Sequence, residues 1–363
     1  MPHVWTGGQY SMFRVLLGLS LAGHFAWLLV FGVASTGEFL RGMLVLGIGL
    51  QLLVAVGWKD RASALVLVLM WASLCGRDPH LPVAGQAIVM LLLLLHAAMP
   101  RAPYGSLEAY GRLDPRGHWK YNSRLWGVGW CVLVVVCGVW FGFLLARPLA
   151  GLWAVTPSPE FTAWIGLAFA LLLGPLALLR STRPWLWTFS LGVALAQFAF
   201  AESVSAAPAI LLLHAFTFDP RWIGMMWGQS PSTIYYDGEC GLCHRFVRLL
   251  LAEDRDGRAF RFAPLHGSTF TKSFSRASPG AWPDSIVVCT PNQDLLLRSD
   301  AVRHCLNRLG GVWRLIGGLL GLLPRAMRDG AYDRLASVRK SFFATPESSC
   351  PALPPDLQQR FLP

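Results

Sequence analysis

The sequence predicts an α-helical polytopic membrane domain followed by a small α/β domain, on three observations. Of 363 residues, 54% are apolar and 14% charged, which is more apolar sequence than a water-soluble core can hide. Charge is spread unevenly: residues 1–221 hold 14 basic and 8 acidic side chains, whereas the shorter stretch 222–363 holds 17 and 12. From Thr233 the hydrophobic period changes, long apolar runs giving way to short alternating ones. The implied organisation is a multi-span helical domain over 1–221, an α/β domain over 232–350 and a Pro-rich tail over 351–363. On this reading a wholly water-soluble protein is excluded.

About 20 apolar residues are needed to cross the hydrocarbon of a bilayer. Eight stretches up to Phe218 are candidates, near 10–33, 39–58, 62–76, 81–99, 125–146, 161–179, 185–201 and 204–218. The third and eighth are short. The third spans if Arg61 and Arg77 extend toward the headgroups; the eighth decides on which side the α/β domain lies. With eight spans, the side bearing both termini holds Arg14, Lys59, Arg61, Arg101, Arg112, Arg116, Lys120, Arg124, Arg180, Arg183 and Arg221, against Arg41, Arg77 and Arg147 on the other. Lys and Arg favour the cytoplasmic face, so the expectation is a cell (inner) membrane protein with its α/β domain in the cytoplasm. The first stretch has almost no basic leader and runs past any small-residue cleavage site, so it reads as a retained helix. Many of the 16 tryptophans stand near span ends (Trp58, Trp153, Trp185, Trp187, Trp222), as interfacial anchoring requires.

Ionisable residues inside spans are costly and point to function. His24 lies mid-span, His96 and His214 near span ends, Glu202 in a tight turn, and Arg77 and Asp78 at a boundary. Such histidines suit a quinone-like lipid carrier, with neighbouring helices satisfying them as the plainer alternative.

In the C-terminal part, TIYYDG reads as a strand ending in a turn. CGLCHRFVRLLLAED follows as a helix with Phe246, Val247, Leu250 and Leu251 on its apolar face. AFRFAPL alternates as a strand, a helix covers about 267–276, and SIVVCT and DLLLR are strands around Pro291, Asn292 and Gln293. Ser299 or Asp300 is expected to cap the helix AVRHCLNRLG, and two more helices follow near 311–323 and 325–343. The order β-α-β-α-β-β-α is that of a minimal thioredoxin or glutaredoxin-like fold.

Of eight cysteines, Cys240 and Cys243 have an informative spacing. Just after the first strand and at the first turn of its helix, a C-x-x-C pair gains from unpaired N–H groups and the positive dipole end, which favour thiolate on the first cysteine. Cys240 is then the nucleophile, and Cys243, one turn on, attacks a mixed disulfide at Cys240 to release the partner. His244 and Arg245 add positive field or are solvated. Pro283, just before Asp284 and SIVVC, is the candidate for the cis-proline that sits against the dithiol in thioredoxin folds, with an ordinary loop proline as the alternative. A zinc site wants two further ligands at close spacing, and Cys289, Cys305 and Cys350 are poorly placed to supply them; His244 and His266 are the remaining possibilities. Cys75, Cys131, Cys137, Cys289 and Cys305 read as small buried hydrophobes.

The run Asp237, Gly238, Glu239, Cys240, Gly241, Leu242, Cys243 resembles the D-x-x-C-x-x-C signature of the DCC family of thiol-disulfide oxidoreductases, a thioredoxin-like group. Arg298-Ser299-Asp300-Ala301 resembles the family's R-S-D-A segment. LGGVWRL, LLPRAMRDGAYDRLA and Cys350 fall where the family has similar stretches, so the likeness covers about 233–350. Val338-Arg339-Lys340 stands where family members often carry N-R-Y. The membrane part is more weakly similar to the HTTM domain, related to vitamin K-dependent gamma-carboxylases. The similar places are Arg14 in YSMFRVLLG, Gly57-Trp58 before a basic turn, SLCGRDP at 73–79, Pro100 and Gly105-Ser106-Leu107. Lys59 and Lys120 both lie in loops, so a carboxylase-type lysine base is not carried over.

Together these readings imply a membrane thiol-disulfide oxidoreductase. Cys240 and Cys243 exchange disulfides with a protein or small-molecule thiol partner, Pro283 presents it, and Asp237 assists proton transfer or stabilises the turn. Thiol exchange requires no cofactor. The alternative is a membrane carrier or scaffold whose dithiol binds a soft metal or senses redox state without turnover. The net charge of +11 does not indicate nucleic acid, because the arginines of LAEDRDGRAF alternate with acids and there is no aromatic-basic platform. The Arg-rich stretch 325–340 suits a membrane surface as a minor role.

Overall fold

A computed structural model describes residues 5–32, 37–77, 83–153, 158–200, 207–224, 230–265, 267–273, 286–343 and 351–363. Eight helices fall on the eight apolar stretches: α1 Gly7–Trp27, α2 Glu38–Val56, α3 Asp60–Arg77, α4 Val83–Ala98, α5 Ser123–Trp153, α6 Pro159–Leu178, α7 Arg183–Phe200 and α8 Ala207–Thr217. Gly57, at φ +72°, ends α2 in the left-handed conformation that a side chain resists, and its N–H bonds to the Leu53 and Val54 carbonyls. By length and composition, Gly7–Phe31 and Glu38–Val56 are apolar enough to cross a membrane. Gly85–Ala98, Ser123–Val139, Trp164–Leu178 and Pro208–Thr217 are shorter apolar helices.

By contacts the chain divides into two compact units that are not sequential blocks. One comprises Ser11–Arg101 and Tyr121–Phe218; the other comprises Met1–Tyr10, Ala102–Lys120 and Asp219–Pro363. Within the helical unit Phe13, Leu17, Leu21 and Phe25 recur every fourth residue along α1 and are buried with Leu67 and Trp71 of α3 and Leu92 of α4. Its outward positions are apolar as well: Leu16, Leu19, Leu46, Leu69, Leu171 and Leu172 are all exposed.

The second unit is built on a four-stranded mixed sheet with strands β1 Ser232–Tyr236, β2 Phe260–Pro264, β3 Val287–Cys289 and β4 Leu295–Leu297. Helices α9 Gly241–Glu253, α10 Ser268–Ser273, α11 Arg298–Leu309, α12 Gly311–Leu322, α13 Arg325–Phe342 and α14 Pro355–Gln358 complete it. The strand order is β2-β1-β3-β4, with β1 parallel to β2 and antiparallel to β3, and β3 antiparallel to β4. The β-α-β-α-β-β-α order read from the sequence is present among the described residues. Alternation sorts the side chains: Ile234 and Tyr236 join Val247, Leu250, Phe262, Val288 and Cys305 in one cluster, while Tyr235 joins Ala263, Phe270 and Val287 in another. β1, buried in its middle, delivers the chain straight to the Asp237–Cys240 turn.

Two expectations are corrected. Neither Ser299 nor Asp300 caps α11, whose first helical residue is Arg298 and whose preceding residue, Leu297, gives no side-chain cap. Their side chains bind α13 instead: Ser299 donates to Asp329, and Asp300 pairs with Arg325 and Arg328. The 351–363 segment is likewise part of the core rather than a tail. Leu353 and Leu357 are buried in the larger cluster, and Phe361 forms a parallel bridge with Phe262. Arg360 pairs with the buried Asp254 and donates to the Asp254 carbonyl at 3.1 Å.

Removing one partner of a buried ion pair leaves the other charge uncompensated and costs about 3–5 kcal/mol. Arg360→Ala is therefore expected to lower the unfolding temperature of the purified protein and to speed hydrogen exchange in β2. Exchange in β2 equal to wild type would show that the segment is dispensable.

Candidate active site

The site grows from the turn between β1 and α9. Asp237 Oδ1 accepts the Glu239 N–H at 2.9 Å, and the Asp237 carbonyl accepts the Cys240 N–H at 3.3 Å, folding the chain back so that Cys240 becomes the residue that caps α9. Its sulfur accepts the Cys243 backbone N–H at 3.3 Å, taking one of the donors a helix start leaves unpaired. The two cysteines are 2% and 4% exposed, so their chemistry is set by neighbours rather than by solvent.

Those neighbours divide the pair. A hydrogen bond from the Cys243 thiol, helped by the Cys243 N–H and the Arg339 charge, lowers Cys240 from its ordinary 9.0 to about 6; burial and the Asp237 charge oppose this. The same thiol–thiolate bond, with burial, pushes Cys243 far up. Cys240 holds the charge and Cys243 the proton, which is the division needed for a nucleophile beside a resolving thiol.

Of the residues the sequence singles out, Asp237, Cys240 and Cys243 lie together in this turn. Pro283, with Asp284, lies outside the described residues, as do His266, Glu202, Asp78 and Cys350. His244 is not solvated: it is buried, its Nε2 donates to the Gly238 carbonyl at 3.0 Å, and its ring meets Tyr236 edge-on. Arg245 is exposed, with its guanidinium 5.7 Å from the Tyr110 ring centre and 4.9 Å from that of Phe343. Cys305 and Cys137 are buried as expected, whereas Cys289 is half-buried and Cys131 is exposed, contrary to its reading as a buried hydrophobe. The side chain of Cys75 is outside the described set. No group of three or more His, Cys, Asp or Glu suited to a metal occurs among the described residues.

The α13 helix supplies what sequence reasoning missed. Arg339, 3% exposed, directs its guanidinium to Asp237 Oδ2 at 3.6 Å. Tyr332, seven residues earlier and so on the same helix face, accepts the Ile286 N–H at 3.2 Å. Burial, the Ile286 bond and the charges of Cys243, Arg339 and Cys240 act on its hydroxyl, with burial dominant and the net direction upward. The hints in the sequence were the i, i+7 spacing of a tyrosine and an arginine and the place of Arg339 in the segment that stands where the family often carries N-R-Y.

In the helical unit the histidines have separate surroundings. His214 donates from Nδ1 to the Ile210 carbonyl at 2.8 Å and has Nε2 3.0 Å from Ser190 Oγ, which satisfies it within the bundle. His24 stacks on Trp71 at 5.8 Å. His96 lies 3.6 Å from Asp60, which also has the buried Arg14 at 4.0 Å and accepts the Arg61 N–H at 2.8 Å.

Residues 234–345 match the family described as DCC1-like thiol-disulfide oxidoreductase. The Bacillus subtilis (strain 168) protein titled "Uncharacterized protein YuxK" is 29% identical over 137 residues, which cover 37% of this chain and 97% of that protein. No solved structure matches the chain. The family match associates the C-terminal part with thiol redox chemistry. It does not reach the N-terminal helices, so the HTTM likeness rests on sequence patterns alone.

The charge division has a pH signature. A depressed thiol pKa favours the folded, reduced state fully above the unfolded value, and the contribution is lost as pH falls through about 6. Alkylation of Cys240, followed by mass spectrometry, should rise with a midpoint near pH 6 while Cys243 stays unreactive. A midpoint above about 8, the range of a free thiol, would show that the division does not exist.

Proposed function

We propose that the protein is a membrane-integral thiol-disulfide oxidoreductase whose C-terminal unit is thioredoxin-like and works through Cys240 and Cys243. The observation that carries this reading is the capping position of Cys240, where its sulfur accepts the Cys243 N–H. The Cys240 thiolate attacks a partner disulfide. The partner's S–S bond breaks, a mixed disulfide forms, and the leaving thiolate takes up a proton. Cys243 then gives up its proton and attacks the Cys240 sulfur, releasing the second partner thiol. The partner is reduced by two electrons and the pair is oxidised to a disulfide. The reverse sequence oxidises a dithiol.

Membrane integration is supported by the surface of the helical unit. A soluble core helix is mostly buried, yet only 39% and 28% of the most apolar windows of Gly7–Phe31 and Glu38–Val56 are buried. Leucines and tryptophans such as Leu69, Leu172, Trp164 and Trp185 are exposed where a water-soluble protein carries charge. The Lys and Arg distribution favours a cytoplasmic dithiol.

Replacing Cys240 by Ser should abolish disulfide exchange, and replacing Cys243 by Ser should trap partners as mixed disulfides that reducing agent releases. A Cys240→Ser variant that still exchanges disulfides would remove the proposal. Orientation is read from a variant retaining only Cys240 and Cys243: an impermeant maleimide should label it only after cells are permeabilised. Labelling in intact cells would place the dithiol outside and rule out eight spans.

A further inference from the structure

We propose that Arg339 is a positioning residue for the dithiol: by pairing with the Asp237 carboxylate at the head of the D-x-x-C turn, it sets how strongly negative charge is held on Cys240. The proposal rests on the reading of Cys240 and Cys243 as a redox pair and deepens it.

Asp237 has two oxygens with two tasks. Oδ1 takes the Glu239 N–H and shapes the turn; Oδ2 faces Arg339 at 3.6 Å. Both side chains are buried, so each would be costly alone. A bare carboxylate this close to the dithiol repels charge from Cys240, whereas the guanidinium attracts it, and both act on the two sulfurs. The sulfur therefore feels a balance of opposite charges, and losing either one tips it.

Other groups at the turn have their own occupations. His244 donates to the Gly238 carbonyl, the Tyr332 hydroxyl takes the Ile286 N–H, Arg245 lies against Tyr110 and Phe343, Glu239 is exposed, and Cys243 is the proton-bearing partner. Arg339 is held in place at long range. Its helix is tied to α11 by Arg325 and Arg328 with Asp300, Asp333 with Arg298, and Asp329 with Ser299. The segment that departs from the family's N-R-Y thus keeps its arginine, and that arginine reaches the site.

The test uses full-length protein in detergent, reduced, with iodoacetamide alkylation of Cys240 followed by mass spectrometry across pH. Arg339→Gln should slow alkylation at pH 6 by about fivefold, the change expected when a midpoint near 6 rises by one pH unit. Asp237→Asn, which keeps the Oδ1 acceptor, should move the midpoint down. Arg339→Lys should restore most of the wild-type profile, and the Arg339→Gln, Asp237→Asn double variant should fall between the single ones. A merely structural role predicts something else, since a loosened site moves both single variants up toward a free thiol. That result, or an Arg339→Gln midpoint equal to wild type, overturns the proposal. If Arg339→Gln does not fold, Asp237→Asn decides: a downward midpoint upholds the charge balance and an upward or unchanged one overturns it. Equilibration of wild type in glutathione buffers tests the redox reading separately. Failure to form a Cys240–Cys243 disulfide would remove that reading, while the midpoints still report on Arg339.

Discussion

Negative charge on a sulfur that solvent scarcely reaches must be balanced by groups of the protein, and the C-terminal unit is organised around that constraint. At the turn it is met three ways: an N–H from the first turn of α9, the thiol proton of Cys243, and the Arg339 charge. The first two come with the C-x-x-C spacing itself. The third arrives from a helix almost a hundred residues downstream, which explains why the unit extends beyond its sheet. Without α13, the turn would hold Asp237 beside Cys240 without the Arg339 charge that offsets it.

The other end of α9 is fixed as firmly. Glu253, its last residue, is buried and accepts from Thr6, from the Gly8 N–H at 2.9 Å and from Trp313. Burial pushes its carboxyl up, and those three donors work against the shift. Asp254, next in the chain, is pinned by Arg360. The helix that presents Cys240 is thus anchored by segments from both extremes of the sequence, residues 5–10 and 351–363. From sequence, the first falls within the multi-span domain over 1–221 and the second in a tail.

How much of this could be read beforehand follows from the range of the interactions. Local signals were legible: β1 and β2 by alternation, α9 by its apolar face, the eight helical stretches by composition, and the dithiol by spacing. Contacts between distant segments were not. Ser299 and Asp300 have the residue types of a cap and stand at a helix start, yet α13 claims them, Ser299 by a hydrogen bond to Asp329 and Asp300 by ion pairs with Arg325 and Arg328, because capping is one use of a short polar side chain and a partner on a neighbouring helix is another. His244, read either as a source of positive field or as a solvated position, is buried instead, because its carbonyl partner, Gly238, becomes available only once the turn has formed. Cys131 looked buried because an all-apolar helix carries no periodic marker of its inner face. The pairing of Arg339 with Asp237 was not legible for the same reason as that of Arg360 with Asp254: a buried cation is recognised by its anion, and sequence alone does not say which anion it will meet.

Charge balance at the turn also bears on the direction of electron flow. Lowering the thiolate pKa stabilises the dithiol relative to the disulfide, making the oxidised pair a stronger oxidant. Arg339 works in that direction and Asp237 against it, so the ion pair places the couple between the extremes that either charge alone would impose. A buried ion pair of this kind need not add stability, because desolvation offsets much of its attraction. Its value lies in the potential it holds at a fixed point, and that requires both partners to be immobile. The α11–α13 ion pairs immobilise one and the Glu239 N–H the other, so elements that touch neither sulfur still act on the chemistry of both.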